Sequence, residues 1–172
     1  MNASSNPTLD DDAADAGQAA MRARLAGTNI NEETFLATDY LNHFNEIIML
    51  LEMVPDMPEC LDDCKEWRAK SYVEHFRDSG FSDKELAVAA YEQAPASYRE
   101  PFDVTIDSMN RLVALGIERI DAALAAGNRD AATHEARRAS RALQKLVDVA
   151  SAIIHGSATP LEQTEIDALL TG

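Results

Sequence analysis

The feature that most constrains this chain is a row of apolar residues near its C-terminal end, which recurs with the period of an α-helix. Successive members lie three, four, three, four and three positions apart: Ala136, Ala139, Leu143, Leu146, Ala150 and Ile153. This spacing places every member on one side of a helix. Because that side has to be covered by another element, the row predicts a long helix packed against a partner, and Gly156 is expected to end it.

The expected partner is the segment just upstream, at about residues 97–126. Its apolar residues share one side of a helix and include Phe102, Ile106, Met109, Val113, Ile120 and Leu124. Pro101 falls in the first turn, where proline is tolerated. Gly127 and Asn128 are expected to end this helix and to cap the next one. The two segments therefore predict a long antiparallel hairpin, in which Gly116 lets the helices approach closely.

Shorter helices are expected to pack on this hairpin. Asn31, followed by two glutamates, suits the start of a helix that runs to Val54. Three further helices are predicted at about 59–67, 72–79 and 82–95, and Ser82 with Glu85 forms a capping-box pattern at the start of the last one. No segment alternates apolar and polar residues with a period of two. The predicted fold class is therefore all-α, a helical bundle built on the long hairpin.

The two ends of the chain differ from this central part. Residues 1–29 are rich in Asn, Ser, Asp and Ala, which predicts a mostly disordered acidic arm with a transient helix over 12–26. Residues 30–156 form the predicted bundle domain. Residues 157–172 form a separate partner-binding segment, in which Thr159-Pro160 suits the start of a short helix.

The net charge narrows the classes of partner. Thirty acidic residues against 15 basic ones give a formal net charge of −15. Nucleic acids and anionic membrane surfaces are bound by clustered Lys and Arg, so neither is an expected partner. The sequence has no apolar stretch long enough to span a membrane, and its first residues lack the pattern of a secretory signal. With two cysteines only, Cys60 and Cys64, the chain is expected to be cytoplasmic.

The C-terminal segment reads LEQTEIDALLTG, from Leu161 to Gly172. Ile166, Leu169 and Leu170 lie on one side of the predicted short helix. A helix of this length is marginal in water unless its apolar side is covered. Burial of three aliphatic side chains contributes roughly 5–9 kcal/mol before the costs of association and ordering, which leaves a net affinity of about micromolar or weaker. We therefore expect this helix to bind a groove, either on a partner protein or on its own bundle.

This segment resembles the short peptide by which the FliM family of flagellar switch proteins binds phosphorylated CheY. The FliM pattern is close to L-S-Q-x-E-I-D-A-L-L-x-G, and the chain departs from it at Glu162, where serine is usual. The chain matches the pattern at Leu161, Gln163, Glu165, Ile166, Asp167, Ala168, Leu169, Leu170 and Gly172. The CheZ family of CheY phosphatases also ends in a CheY-binding helix, so a C-terminal position has a parallel.

The resemblance implies that the tail binds a CheY-like receiver domain and that the protein regulates chemotaxis or flagellar signalling. Aliphatic side chains would insert into the signalling face of the receiver, with polar contacts around them. The partner-binding residues are then Leu161, Gln163, Glu165, Ile166, Asp167, Leu169 and Leu170. The residues also leave open a non-enzymatic helical adaptor or a chaperone-like interaction module.

If the tail holds a phosphorylated receiver, the bundle is a candidate phosphatase. The resemblance implies an amide side chain that enters the receiver and orients a water for in-line attack on the aspartyl phosphate, beside an acid. The chain lacks the D-x-x-x-Q spacing of CheZ. The nearest analogues of the related E-x-x-N pattern are Asp39 with Asn42 and Asp107 with Asn110. Asn42 lies in the dense polar stretch DYLNHFNE, which makes it the better candidate.

Histidine phosphotransfer is a further activity of helical bundles, and His134 is its candidate residue here. Arg137 and Arg138 follow it, whereas phosphotransfer domains usually carry Lys and Gly at the later places.

No His, Cys or carboxylate cluster has the spacing of metal ligands, so neither a metal nor a cofactor is expected. Apolar residues on more than one side of the hairpin would favour a homodimer.

Overall fold

The computed structural model describes residues 8–156 and 161–171 of the chain. These residues form α-helices and no strand, which confirms the all-α prediction. The helices are α1 (Thr8–Leu25), α2 (Asn42–Met53), α3 (Cys60–Glu66), α4 (Tyr72–Asp78), α5 (Lys84–Glu92), α6 (Ala96–Ala125), α7 (Arg129–Ile154) and α8 (Gln163–Thr171). A 3-10 helix, Thr38–Leu41, directly precedes α2. In the described ranges no helix combines the length and the apolar character that crossing a membrane requires.

The predicted hairpin is formed by α6 and α7, which pack extensively against each other. Gly127 ends α6 with a φ of +69°, a left-handed conformation that glycine adopts without steric cost. Asn128 caps α7, because its Oδ1 accepts a hydrogen bond from Ala131 N at 3.0 Å. All members of the apolar row of α7 are buried: Ala136, Ala139, Leu143, Leu146, Ala150 and Ile153.

Gly116 lies where α6 and α7 approach closely, as the sequence predicted. A Cβ atom at this position would be 2.9 Å from the Cβ of Ala139. Interiors packed at the density of organic crystals leave no room for carbon atoms at that separation. Since the Cβ of alanine moves only with its backbone, an added methyl group would force the helices apart.

Helix α2 packs against α7 and α3 through its inner side, which is formed by His43, Phe44, Ile47, Ile48 and Leu51. Aromatic contacts extend this core towards α4 and α6. Tyr40 is fully buried, and its ring centroid lies 5.3 Å from that of Tyr72 and 6.1 Å from that of Phe102. The Tyr40 hydroxyl donates to Lys70 O at 2.7 Å, so the buried polar atom is paired.

The helix predicted to begin at Asn31 begins at Asn42 instead. Asn31 Oδ1 does accept hydrogen bonds from the backbone N–H groups of Glu33 and Thr34, both at 2.9 Å. These bonds close a single turn, because the buried Phe35 next adopts a φ of +62°. A left-handed residue cannot continue a right-handed helix, so the chain is irregular up to the 3-10 helix.

Long-range hydrogen bonds hold this irregular segment in place. Thr34 Oγ1 donates to Ile154 O at the end of α7 at 2.6 Å, and Ala37 N donates to Tyr72 Oη at 2.8 Å. Both bonds are buried, and such bonds are costly to leave unmade. They override the local cap pattern of Asn31, which is the physical reason that the predicted helix start was wrong.

The N-terminal segment contains α1, in the region where the sequence predicted a mostly disordered arm with a transient helix over 12–26. Met21 and Leu25, one turn apart, are buried in the core. Arg22 Nε donates to Glu32 O at 3.0 Å beside them. Two apolar side chains therefore attach the end of a helix whose residues from Asp10 to Ala20 are mostly exposed.

The shorter helices α3, α4 and α5 lie where they were predicted, but one cap differs. The capping box predicted for Ser82 and Glu85 is not formed, and Asp83, which precedes α5, makes no capping bond with its side chain. A reciprocal capping box opens α4 instead. Ser71 Oγ accepts from Glu74 N at 3.1 Å, and Glu74 Oε2 accepts from Ser71 N at 2.8 Å.

The close approach at Gly116 gives a test of the hairpin. Gly116→Ala is expected to lower the free energy of unfolding by about 1–2 kcal/mol, because overpacking against Ala139 exceeds the gain in helix propensity. In a chain that carries Ala139→Gly, the same substitution should raise the free energy of unfolding, because the space that the Ala139 methyl group filled is then empty. Chemical denaturation of the four chains measures both effects. An effect of equal sign and size in both backgrounds would show that the two positions do not touch.

Candidate functional site

The C-terminal helix α8 is docked on the molecule's own bundle, where it contacts α6. Ile166 is buried, with 3% of its surface exposed. Leu169 and Leu170 are half-buried and pack against the core of the bundle. The sequence did not decide whether this helix binds a groove on a partner protein or on its own bundle. In this structure it occupies a groove on the bundle.

The polar side of α8 faces solvent. Its exposed residues include Gln163, Glu165 and Asp167, and of the two residues before the helix Glu162 is exposed and Leu161 is half-buried. The helix therefore separates its side chains as the residue spacing predicted, with Ile166, Leu169 and Leu170 towards the bundle and polar residues towards solvent. The predicted helix start at Thr159-Pro160 and the terminal Gly172 of the motif lie outside the described residues.

The hydrogen bonds of α8 are internal to the segment. Glu162 N donates to Glu165 Oε2 at 2.9 Å, as in one half of a capping box. Gln163 Nε2 donates to Asp167 Oδ1 at 2.9 Å, and Thr171 Oγ1 donates to Asp167 O at 2.8 Å. Across residues 8–156 and 161–171, no hydrogen bond or ion pair joins α8 to another element. Among the described residues, the direct contacts that hold the helix on the bundle are apolar.

A cavity of about 370 Å³ lies between α8 and α7. It is lined by His134, Arg138, Arg141, Ala142 and Lys145 of α7 and by Ala168 and Leu169 of α8. The basic side chains of α7 thus lie beside an acidic helix, which adds a weak attraction that salt would screen. His134, the candidate for phosphotransfer, is an exposed residue of this wall.

The first acid–amide pair, Asp39 and Asn42, lies beside a histidine of α4 that the sequence analysis did not single out. Asp39 Oδ2 is 3.0 Å from His75 Nε2, and Asn42 Nδ2 donates to Asp39 Oδ1 at 3.4 Å. Both oxygens of the carboxylate are therefore contacted, which fixes its orientation. Asn42 is exposed, and its side chain lines two open cavities of about 490 and 260 Å³.

His75 was missed because it lies 36 residues from Asp39, and no local pattern joins two residues so far apart. A weaker signal was present in α4 itself. Tyr72, His75 and Phe76 are spaced by three and one, so they share one side of the helix. A histidine between two buried aromatic residues could have been expected at the edge of the core.

His43, next to Asn42 in the chain, is buried and uncharged at neutral pH. Its ring stacks on Trp67 with the centroids 4.5 Å apart, and its Nε2 accepts a hydrogen bond from Lys70 N at 3.2 Å. Burial, together with the nearby His75 and Lys70, lowers the pKa of His43 to about 4. A lone pair on Nε2 is therefore available to Lys70 N, and His43 acts as a structural acceptor.

The second acid–amide pair, Asp107 and Asn110, lines a different cavity of about 380 Å³, whose walls include Tyr40, Tyr72 and Phe102. Asp107 is exposed, but Asn110 Oδ1 is buried and has no hydrogen-bond partner in the described residues. An unpaired buried carbonyl costs roughly 1–3 kcal/mol. The structure does not bring the two acid–amide pairs into one site.

The two cysteines of α3 are buried thiols, and burial raises the pKa of Cys64 to about 11. Within the described ranges no group of three or more His, Cys, Asp or Glu side chains is arranged to hold a metal ion.

Comparisons with protein-family models, with curated proteins and with solved structures find no match to this chain. The candidate sites therefore depend on the residues and geometry described above.

The low pKa of His43 predicts a loss of stability in acid. The imidazole titrates near 6.5 in the unfolded chain but stays neutral down to about 4 in the folded protein. Between these values the unfolded state binds more protons, so the free energy of unfolding falls as the pH drops through this window and is unaffected above it. The total loss is on the order of 3 kcal/mol.

Denaturant unfolding measured across this pH window tests the assignment. His43→Gln keeps an acceptor but removes the titration, so its free energy of unfolding should vary less with pH. His134→Gln, which alters an exposed histidine, should retain the pH dependence of the parent chain. An unchanged pH dependence in the His43→Gln protein would show that another group is responsible.

Proposed function

We propose that this protein binds the phosphorylated receiver domain of a CheY-like response regulator through α8, and that it acts in chemotaxis or flagellar control. The proposal rests on the match between Leu161–Gly172 and the CheY-binding peptide of FliM. The arrangement of α8 supports it. Ile166, Leu169 and Leu170, the residues that the resemblance assigns to the receiver groove, are those that now face the bundle. Docking and receiver binding are therefore mutually exclusive.

Release of α8 is energetically accessible, because the described residues require no hydrogen bond or ion pair to be broken. Burial of one isoleucine contributes roughly 1.5–3 kcal/mol, and half-buried leucines contribute less. The order that the docked tail loses on release offsets part of this gain. A net docking free energy of about 1–3 kcal/mol would weaken receiver binding roughly 5- to 150-fold, which a partner groove can overcome.

A titration of the full chain with CheY-type receiver domains of the source organism tests this proposal. Ile166→Asp is expected to abolish binding, because a carboxylate cannot enter an apolar groove. A chain truncated after Gly156 should also fail to bind. Glu162→Ser is the matched control, since it restores the residue usual in FliM at an exposed position, and its affinity should be equal or higher.

Binding that survives both Ile166→Asp and the truncation would show that α8 is not the receiver-binding element. Phosphorylated and unphosphorylated receivers should also differ in affinity. If the receiver bound the chain equally well in both states, the proposed role in reading phosphorylation would be wrong.

We further propose that the bundle dephosphorylates the bound receiver, with Asn42 as the amide that orients the attacking water. Two observations favour Asn42 over Asn110. Its side chain is exposed, and the neighbouring Asp39 is held by His75. In the reaction, water attacks phosphorus in line, the bond to the receiver's aspartate breaks, and inorganic phosphate leaves. Asn110 is less suited, because its carbonyl oxygen is buried in the bundle.

Asn42→Ala is expected to slow phosphate release from the receiver by about tenfold or more, because the water loses its orienting group. The measurement is phosphate release from phosphorylated receiver at saturating amounts of this protein. Asn45→Ala changes another exposed amide of the same helix and should leave the rate unchanged. If the receiver loses phosphate at the same rate with Asn42→Ala as with the parent chain, Asn42 is not catalytic. The hypothesis of a non-enzymatic adaptor is then favoured.

A further inference from the structure

Three methionines form an exposed row on the outer side of α2 and on the turn that follows it. Met49, Met53 and Met57 expose 62%, 38% and 39% of their surfaces. They recur every four residues, and Met57 N donates to Met53 O at 2.9 Å, so the row continues past the end of the helix in helical register. Together with Val104 of α6 they are the most exposed large apolar side chains in the described residues.

This row is a surface feature of a helix whose core contacts are already complete. The opposite side of α2 is buried and includes Phe44, Ile47 and Leu51. Met49 is therefore mostly outside the core, and Met53 and Met57 lie at its edge with more than a third of their surfaces exposed. Long, flexible and polarisable, such side chains adapt to varied apolar partners and are overused at binding surfaces.

The segment of the chain that carries the row contains acidic residues and no Lys or Arg. The chain contains no Lys or Arg from Leu25 to Cys64, and that stretch carries Glu32, Glu33, Asp39, Glu46, Glu52, Asp56, Glu59, Asp62 and Asp63. Glu46, Glu52 and Asp56 are interleaved with the methionines in the sequence and are exposed. None of the three takes part in an ion pair within the described part of the chain. The methionine row therefore lies on a stretch of the chain whose Asp and Glu residues have no Lys or Arg among them, and Lys70 approaches its edge in the cavity that Glu46 lines.

We propose that the methionine row and its acidic rim bind a basic amphipathic helix of another protein. The apolar stripe of such a helix would cover the methionines, and its Lys and Arg residues would face the carboxylates. Charge repulsion argues against other binding partners at this surface. A second copy would bring two acidic rims together, and nucleic acid or an anionic membrane would be repelled. The chain's own α8 is acidic and contacts α6, so this surface is separate from the proposed receiver-binding element.

A synthetic peptide can serve as the probe. It has about 18 residues, with leucines along one side of a helix and lysines elsewhere. The control peptide has the same composition, with its leucines scattered around the helix. Fluorescence anisotropy with the full chain, at about 0.15 M salt, should show tighter binding of the amphipathic peptide. Equal binding of the two peptides would mean charge attraction without a docking surface, which overturns the proposal.

Variants of the row test its location. Met49→Gln with Met53→Gln should weaken binding of the amphipathic peptide about tenfold or more. Both side chains point outward, so the fold is expected to remain, and circular dichroism checks it. Val104→Gln removes the comparable exposed apolar side chain of α6 and should leave the affinity unchanged. If the methionine variant binds like the parent chain, the row is not the site.

Variants of the rim test the electrostatic part. Glu46→Gln, Glu52→Gln and Asp56→Asn together should weaken binding and make it less dependent on salt than in the parent chain. A charge-matched set at remote exposed positions, Glu100→Gln, Glu118→Gln and Asp130→Asn, should change both quantities less. Equal effects of the two sets would overturn the role of the rim.

The parent chain is also tested for self-association. If it self-associates and Met49→Gln abolishes this, the surface binds a second copy of the chain and the proposal is overturned.

Discussion

The close contact between α6 and α7 is the constraint on which the other parts of the molecule depend. Gly116 opposite Ala139 lets the two longest helices approach, and the paired helices present the surfaces that the shorter elements need. Helix α2 packs against α7, while α3 and α8 contact α6. The irregular segment before α2 is tied to the end of α7 through Thr34. A change in the spacing of the hairpin would therefore reach the core, the polar sites on α2 and the docking surface of α8 together.

The hairpin could be predicted from the sequence because its determinants are local. The apolar row of α7, the glycine that ends α6 and the asparagine that caps α7 each act within a few residues. The start of α2 could not be predicted in this way. Asn31 forms the expected bonds, but the buried Phe35 and the distant partners of Thr34 and Ala37 decide the path of the chain. Composition likewise did not indicate that Met21 and Leu25, at the end of α1, are buried in the core.

The candidate sites show a similar division between local and distant information. Sequence spacing predicted the two-sided character of α8, which the structure has, but not which groove covers its apolar side. It paired Asp39 with Asn42 correctly as neighbours, yet it missed His75, which comes from another helix. For Asp107 and Asn110 the spacing was equally good, although the carbonyl oxygen of Asn110 is buried in the bundle. Residue pairs one turn apart are common on helices, so only their surroundings distinguish a reactive amide from a buried one.

The bonding of α8 has a thermal consequence. In the described residues its polar groups are satisfied within the segment itself, so its attachment is governed by hydrocarbon surface. The driving force for covering such surface has little enthalpy near room temperature and weakens on cooling. The hydrophobic part of the docking free energy therefore becomes smaller in the cold, whereas hydrogen bonds would retain their enthalpy. Cooling should thus weaken the apolar contribution that competes with a partner groove for the C-terminal helix.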